Sequence, residues 1–200
     1  MNRNFIRLCF FICVSLFSVN SYATGLGFSF GNASEDWDDV STVENRNLSS
    51  FGFVVDTTVA DDQVFNYRFS LLKEENNSDG NGLNMDGITM LHNFGFGVLR
   101  NKYVRLWLGP ELRAAFYDDL SIVQNGNRVQ VVGDVWGYGI GIAMGANFHL
   151  PEVASIGISA SYYVFNDYTG DYGSTSTDLD IDSSGLYLNL TVLFRVNDEF

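Results

Sequence analysis

Apolar and polar side chains alternate with a period of two over nearly all of the chain after its first two dozen residues. In the clearest segment the two alternating sets are Trp136, Tyr138, Ile140, Ile142, Met144 and Phe148 against Gly137, Gly139, Gly141, Ala143, Gly145, Asn147 and His149. Successive side chains of a strand point to opposite faces, so this period predicts strands with one large apolar face and one small or polar face. No segment has the 3.6-residue period of a helix.

The pattern divides into eight such segments, and the connections between them alternate in length. Long connections at 32–48, 74–86, 118–134 and 166–183 alternate with short ones at 59–62, 100–102 and 151–154. Adjacent antiparallel strands need only a few residues to turn, and long loops on one side only are typical of outer-membrane barrels. The sequence therefore predicts an all-β fold, an eight-stranded antiparallel up-and-down transmembrane β-barrel with its long loops facing outward.

A soluble eight-stranded barrel is the alternative architecture, and the composition of the two faces separates the two. A soluble barrel turns its apolar face inward and covers its outside with charged side chains, whereas the second face here carries mainly Gly, Ser and Asn. Such a face suits the narrow lumen of an eight-stranded barrel, which has room only for side chains. The apolar face then meets lipid, with aromatic residues near the strand ends as interfacial girdles.

The first 23 residues form a predicted secretory signal peptide. Arg3 and Arg7 precede a short apolar stretch, and small residues at Ser21 and Ala23 mark a cleavage site. The apolar stretch is too short for a membrane-spanning helix, which needs ~20 residues. The predicted mature protein is the barrel domain at 24–200, and both cysteines of the chain leave with the signal at 1–23.

The chain is acidic, with 11 Lys plus Arg against 24 Asp plus Glu and a formal charge of -13. Loss of Arg3 and Arg7 with the signal leaves 9 of those 11 basic residues against 24 acids, a formal charge of -15. Binding of nucleic acid requires a basic surface that this chain lacks. Nucleic acid is therefore excluded as a partner.

Three stretches resemble the small eight-stranded outer-membrane barrels of Gram-negative bacteria, such as the membrane domain of outer membrane protein A, outer membrane protein X and the opacity-type adhesins. They are Phe94-Gly95-Phe96-Gly97, the segment 103–112 and the last strand with a terminal aromatic residue. The resemblance implies location in the outer membrane, lipid and lipopolysaccharide as surroundings, and insertion by the barrel-assembly machinery. It also implies a C-terminal aromatic assembly signal, for which Phe194 and Phe200 are the two candidates.

Charged residues in the inward phase predict an ion-pair cluster in the lumen. Arg68, Arg105 and Arg113 share this phase with Glu111, and Asp56 faces inward nearer the short turns. An isolated buried ion costs several kcal/mol, so these charges need partners. Glu111, with Arg68 at a similar height, is the predicted hub of a cluster that plugs the barrel.

Catalytic chemistry finds little support in the sequence. Only His92 and His149 are available as neutral-pH bases, and neither has a serine and a carboxylate at triad-like spacing. Some outer-membrane barrels modify lipid A, and that alternative would need His149 to converge with Ser159 or Ser161 and an acid on one rim. No nucleotide or metalloprotease motif occurs, so no catalytic residue and no cofactor is predicted.

The long connections contain 17 of the 24 acidic residues, including Glu35 and Glu74, whereas Arg46 is one of their few basic residues. The simplest interpretation is a solvated rim whose charges repel one another. The alternative is binding of divalent cations that bridge the rim to lipopolysaccharide, for which Asp178, Asp180 and Asp182 are the densest candidates. This stretch lacks the glycine and final glutamate of an EF-hand loop, and no other metal site is predicted.

These observations predict a monomeric, non-enzymatic outer-membrane protein with a plugged lumen. Its four acidic loops are expected to serve envelope integrity, or adhesion to host or phage surface ligands. A small-solute pore of the porin type is the first alternative, and a lipid A-modifying barrel is the second.

Overall fold

The computed structural model describes residues 25–37, 46–57, 64–76, 82–124, 127–150, 154–172 and 177–196. The predicted signal peptide at 1–23 and the candidate assembly residue Phe200 lie outside these ranges. No helix long and apolar enough to cross a membrane occurs in the described part of the chain.

The described residues form strands throughout, as the alternating pattern predicts. Their bounds are β1 (Gly25–Trp37), β2 (Arg46–Asp56), β3 (Phe65–Asn76), β4 (Gly82–Arg100), β5 (Val104–Gln124), β6 (Asn127–Val132), β7 (Val135–His149), β8 (Ala154–Tyr172) and β9 (Thr177–Arg195). The order is β4-β3-β2-β1-β9-β8-β7-β5-β6, and pairing of β4 with β5 closes the ring. All pairings are antiparallel, so the predicted eight-stranded barrel is confirmed, with β6 outside the ring.

The strands differ from the prediction in length and in one added element. The segments expected as long loops are largely strand extensions: β1 continues to Trp37, β3 to Asn76 and β8 to Tyr172. The third expected loop, 118–134, contains the end of β5 and all of β6, which together form a hairpin. Strand pairing satisfies the backbone polar groups of these extensions, and their small and polar residues do not prevent it.

The register fixes the shape of the barrel. Residues followed from partner to partner around the ring start at Gly25 on β1 and return to Glu35 on the same strand, an offset of ten residues. Such a stagger tilts the strands of an eight-stranded barrel by ~35–45° and leaves a narrow interior. We call the end with the β4–β5 turn at 101–103 the turn end, and the end with the β5–β6 hairpin the loop end.

Burial confirms the two predicted faces. Large apolar residues of the outward phase are exposed, among them Phe53, Ile142 and Leu188, while inward residues such as Ser29, Thr89 and Thr191 are buried. The exposed residues form the belt that meets hydrocarbon. A lumen cluster of buried residues consists of Ala33, Leu48, Leu72, Leu91, Tyr163 and Tyr187.

Candidate functional site in the barrel lumen

The lumen contains the buried charged side chains of the described residues. Eight buried residues are charged, four acids and four arginines: Glu35, Asp56, Glu74, Glu111, Arg46, Arg68, Arg105 and Arg113. Their formal charges cancel, whereas the whole chain carries -13. The negative excess therefore lies outside this set.

A first group of these charges, the loop-end cluster, consists of Glu35, Arg46, Glu74 and Arg113 with the tyrosines 117, 168 and 187. Arg113 Nη2 lies 2.7 Å from Glu74 Oε2, and its Nη1 lies 3.7 Å from Glu35 Oε1. Arg46 Nη1 lies 3.3 Å from Glu35 Oε2, and its Nη2 donates to the backbone oxygen of Met85 at 2.9 Å. The four charges thus form one continuous chain of ion pairs.

Tyrosines complete the hydrogen bonding of this cluster. Tyr117 donates to Glu74 Oε2 at 2.6 Å, Tyr168 donates to Glu35 Oε1 at 2.8 Å, and Tyr187 donates to the same oxygen. The Tyr168 ring packs where a side chain at Gly137 would stand, because a Cβ there would lie 2.5 Å from the ring. A glycine at 137 therefore makes room for the tyrosine that orients Glu35.

A second group, the turn-end cluster, consists of Asp56, Asn66, Arg68, Arg105 and Asn147. Arg68 lies 2.8 Å from Asp56 Oδ2 and donates to Asn147 Oδ1 at 2.9 Å. Arg105 donates to Asn66 Oδ1 at 3.3 Å. The Arg68 guanidinium also lies over the ring of Trp107, 5.0 Å from its centroid, a cation–π geometry.

Glu111 is not the hub that the sequence predicts. Its Oε1 accepts a hydrogen bond of 2.5 Å from Tyr163, and its Oε2 lies 3.5 Å from Asn93 Nδ2. The carboxylates paired with Arg68 and Arg113 belong instead to other strands. The predicted hub rests on heights along β3 and β5 alone, whereas the acids that reach these two arginines lie on β1, β2 and β3.

The structure thus separates the predicted lumen residues into two groups at different heights. Arg113 lies in the loop-end cluster, whereas Arg68 and Arg105 lie in the turn-end cluster. Glu35, Arg46 and Glu74 also lie in the lumen, although their place in the long connections predicts a solvated rim. For the two glutamates, the sequence feature that indicates the lumen is the inward phase of the strand. Glu35 follows Ala33 and Gly31 at intervals of two, and Glu74 follows Leu72 in the same way.

Between the two clusters the lumen holds a cavity of about 1050 Å³, which we call the chamber. Its inward-facing lining consists of Gly31, Ser50, Trp107, Gly145, Ser159 and Asn189. Gly31 lies four residues from Glu35 toward the turn end of β1, and Gly145 lies two residues from Asn147 toward the loop end of β7. Ser50, Ser159 and Asn189 are half-buried at this level, whereas Glu35 and Asn147 on either side of it are fully buried.

The histidines do not converge with the predicted serines. His149 Nδ1 lies 2.9 Å from Ser155 Oγ near the turn end, and Ser155 is fully buried. Ser161 instead hydrogen-bonds Glu111, and Ser159 lines the chamber. His92 lies on the outward face, as its phase predicts, with its Nδ1 2.6 Å from the hydroxyl of Tyr67.

The candidate cation ligands lie on the loop-end part of β9. Asp182 is exposed, and the side chains of Asp178 and Asp180 lie outside the described residues. Within the described residues, no group of three or more His, Cys, Asp or Glu side chains could hold a metal ion.

Comparison with solved structures identifies the fold. Neisserial surface protein A superposes with a TM-score of 0.55 at 11% identity, covering 87% of this chain and 99% of the other. The outer membrane protein OprG from Pseudomonas aeruginosa superposes with a TM-score of 0.51 at 10% identity, covering 90% of this chain and all of the other. The fold is that of a small eight-stranded outer-membrane β-barrel.

This fold and the exposed apolar belt agree with the outer-membrane location predicted from the sequence. No protein-family model matches the chain. No curated protein matches it either.

Proposed function

We propose that this protein is a non-enzymatic outer-membrane barrel whose lumen is closed and which acts through its loop-end surface, in envelope integrity or in adhesion. The observation that carries the proposal is the set of eight buried charges, which comprises the two clusters and Glu111 and places four arginines and four carboxylates in a narrow interior with no net charge. Ion-paired arginines and the tyrosine rings around them occupy the cross-section that a permeating solute would need.

The loop end supplies the surface for contacts outside the membrane. Exposed acids there include Asp36, Glu75, Asp118, Asp134 and Asp182. We propose lipopolysaccharide as the surrounding partner and host or phage surface molecules as loop ligands, with the barrel-assembly machinery acting during insertion and a monomer as the working form. The β5–β6 hairpin extends this surface beyond the ring of strands.

A non-enzymatic role is supported by the surroundings of His149, whose hydroxyl contact is Ser155 instead of the predicted Ser159 or Ser161. Ser155, the contact of His149, is fully buried, and a buried hydroxyl cannot reach a lipid substrate. Lipid A mass spectra from a deletion strain would test this part of the proposal. An altered acylation pattern, restored by the wild-type gene, would contradict it.

Planar-bilayer recording tests the closed lumen. The wild-type barrel should give no steady conductance, whereas Arg68→Ala combined with Arg113→Ala should give open events. Replacing Lys73, whose exposed side chain pairs with exposed Glu75, is the matched control and should leave the barrel silent. Steady wild-type conductance would contradict closure.

A deletion strain tests the loop-end role. Binding to host matrix or complement factors, phage adsorption and resistance to detergent are measured in the deletion strain, with wild-type complementation and complementation by a barrel lacking 127–132. The proposal expects at least one of these properties to be lost and to return only with the intact loop end. Equal rescue by the shortened barrel would assign the property to the barrel wall.

The second candidate is a small-solute pore, and the chamber is the observation that favours it. A space of about 1050 Å³ already interrupts the packing of the lumen, so opening of the two clusters would create a continuous path. Liposome swelling with neutral solutes distinguishes the candidates, because a closed barrel gives no swelling and a pore gives a rate that falls with solute size.

A further inference from the structure

The chain contains only two lysines, and their surroundings differ. Lys73, on the loop-end part of β3, has an exposed side chain that pairs with the exposed carboxylate of Glu75. Lys102, in the β4–β5 turn, forms no ion pair with any described residue, and its Nζ instead lies 4.8 Å from the centroid of the Tyr103 ring. The charge of Lys102 is therefore free to attract an anion from outside the barrel.

The β4–β5 turn holds Lys102 and Tyr103 in place. The side-chain oxygen of Asn101 accepts hydrogen bonds of 2.9 Å from the backbone N–H groups of Tyr103 and Val104. The backbone N–H of Asn101 donates to the oxygen of Val104 at 3.0 Å, and His149 N–H donates to the oxygen of Tyr103 at 2.7 Å. Bonds from an asparagine side chain to the backbone fix the shape of a turn. The ammonium group and the ring are thus presented by a structured turn that is tied to the end of β7.

The exposed residues at this turn change from apolar to charged along the barrel axis. Leu99 and Leu106 are cross-strand partners just inside the turn, and they are 48% and 37% exposed. Tyr103 follows in the turn itself, 63% exposed, and exposed Lys102 precedes it. In membrane proteins, tyrosine lies at the interface, and lysine extends its stem along apolar surface to bring its charge to the headgroups. This order places the two leucines against hydrocarbon and the Lys102 ammonium at headgroup level.

The charges of the same segment determine which headgroup it favours. Residues 98–106 contain Arg100, Lys102 and Arg105 and no acid. Arg105 is buried in the lumen, whereas Arg100 and Lys102 are exposed. Basic side chains attract phosphate oxygens, and each one near a membrane surface strengthens association with anionic lipid by about fivefold. A zwitterionic lipid carries its own cation beside the phosphate, so the turn favours a lipid with a net negative headgroup.

We propose that the β4–β5 turn binds the headgroup of an anionic phospholipid, with Lys102 contacting the phosphodiester and Tyr103 packing against the lipid below it. The site lies in the leaflet at the turn end, on the side of the membrane opposite to the loop-end surface. It goes beyond the surface role proposed above, and it does not depend on whether the lumen is closed.

Native mass spectrometry of the folded barrel tests the proposal. The protein is released from micelles that contain equal small amounts of phosphatidylglycerol and phosphatidylcholine with identical acyl chains, and the lipids retained per barrel are counted. The wild type should retain phosphatidylglycerol in excess. Lys102→Gln should lower the ratio of the two retained lipids by about fivefold, and Lys102→Arg should preserve it. Lys73→Gln, the same change on the other lysine, is the matched control and should leave the ratio unchanged.

Bromine quenching in vesicles locates the bound lipid. Leu99→Trp, in a chain that also carries Trp37→Phe and Trp136→Phe, places a fluorescent reporter beside the turn. The same chain without Leu99→Trp gives the contribution of Trp107, the remaining tryptophan of the three. Brominated phosphatidylglycerol should quench the reporter more strongly than brominated phosphatidylcholine at the same mole fraction, and Lys102→Gln should reduce this difference. The heat-dependent shift of the folded band on a detergent gel verifies that each variant is folded.

Four results would overturn the proposal. The first two are an unchanged lipid ratio in folded Lys102→Gln and an equal fall in Lys73→Gln, since the preference would then follow overall charge and not the turn. The third is equal quenching of the reporter by the two brominated lipids. The fourth is displacement of phosphatidylglycerol by inorganic phosphate at the same concentration, which would assign the turn to free phosphate instead of a lipid headgroup.

Discussion

Two pairs of adjacent acids on the loop-end strand extensions have opposite environments. Glu35 and Glu74 are buried in the lumen, at 0% and 1% exposure, whereas their neighbours Asp36 and Glu75 are exposed. Each pair shares a strand, a height and a charge, and differs only in the face to which the side chain points. The local composition therefore does not indicate the role of these acids. Whether an acid is buried or exposed depends on which of the two alternating sets of strand positions it occupies.

The energetic consequences of the two environments should differ as much as the positions do. An exposed ion pair contributes about 0–1 kcal/mol because water and salt screen it. Breaking a buried pair costs about 3–5 kcal/mol because the remaining charge is left uncompensated. The lumen acids should therefore govern the stability of the barrel, while the outward acids should leave it nearly unchanged.

The largest effect is expected for Arg113→Ala. This change leaves Glu35 and Glu74 without the arginine that both contact, and it should lower the free energy of unfolding by about 5 kcal/mol. Urea unfolding in micelles measures the change. Lys73→Ala on the outward face is the control and should shift the free energy by less than about 1 kcal/mol. Similar losses in the two variants would remove the distinction between the faces.

Glu74→Ala should come next, at about 3 kcal/mol. Arg113 keeps Glu35 at 3.7 Å in this variant but loses its closer partner at 2.7 Å, and Tyr117 loses its acceptor. The matched control is Glu75→Ala, one residue along the same strand, with a change below about 1 kcal/mol. The temperature at which the folded gel band converts to the unfolded band gives the comparison.

Glu111→Ala should have a smaller effect, about 2 kcal/mol. It removes the acceptor of Tyr163 and a contact of Asn93, but Glu111 forms no ion pair with another described residue. Unfolding in urea again provides the measurement. A loss equal to that of Arg113→Ala would restore Glu111 as the hub expected from the sequence.

The smallest effect is expected for Asp36→Ala, within about 0.5 kcal/mol, because its side chain is exposed. Its partner in the comparison, Glu35→Ala, should cost several times more because two arginines and two tyrosines contact Glu35. Thermal conversion on a detergent gel is sufficient to resolve this difference. Equal conversion temperatures would contradict the assignment of faces on β1.

Much of the fold was predictable from particular residues. The alternation of Phe28 and Phe30 with Ser29 and Gly31 predicts strand, face and membrane location together, because a strand has only two faces and lipid accepts only one of these sets. The extra strand β6 was not predictable in the same way. Strand β6 forms because it pairs with the extension of β5. The polar residues of that extension, taken one at a time, predict a loop and not a strand.

For the candidate site, the sequence predicts which charged residues face the lumen but not which of them form pairs. Inward parity identified Arg68, Arg105, Arg113 and Glu111 as lumen residues, since parity is a local property of one strand. Their partners could not be predicted, because a contact across the lumen depends on how the strands are staggered relative to one another. That stagger amounts to ten residues around the ring and belongs to no single segment.

The sequence by itself determined the two faces, the number of strands in the ring and the acidity of the rim, because each follows from period, connection length or composition. Only the tertiary structure decided that Arg113 pairs with Glu74 and Glu35, that Arg68 pairs with Asp56, and that a chamber lies between the two clusters. The physical reason is closure: the tilt of the strands brings residues of distant segments to the same height, and a pair of charges forms where height and inward phase coincide.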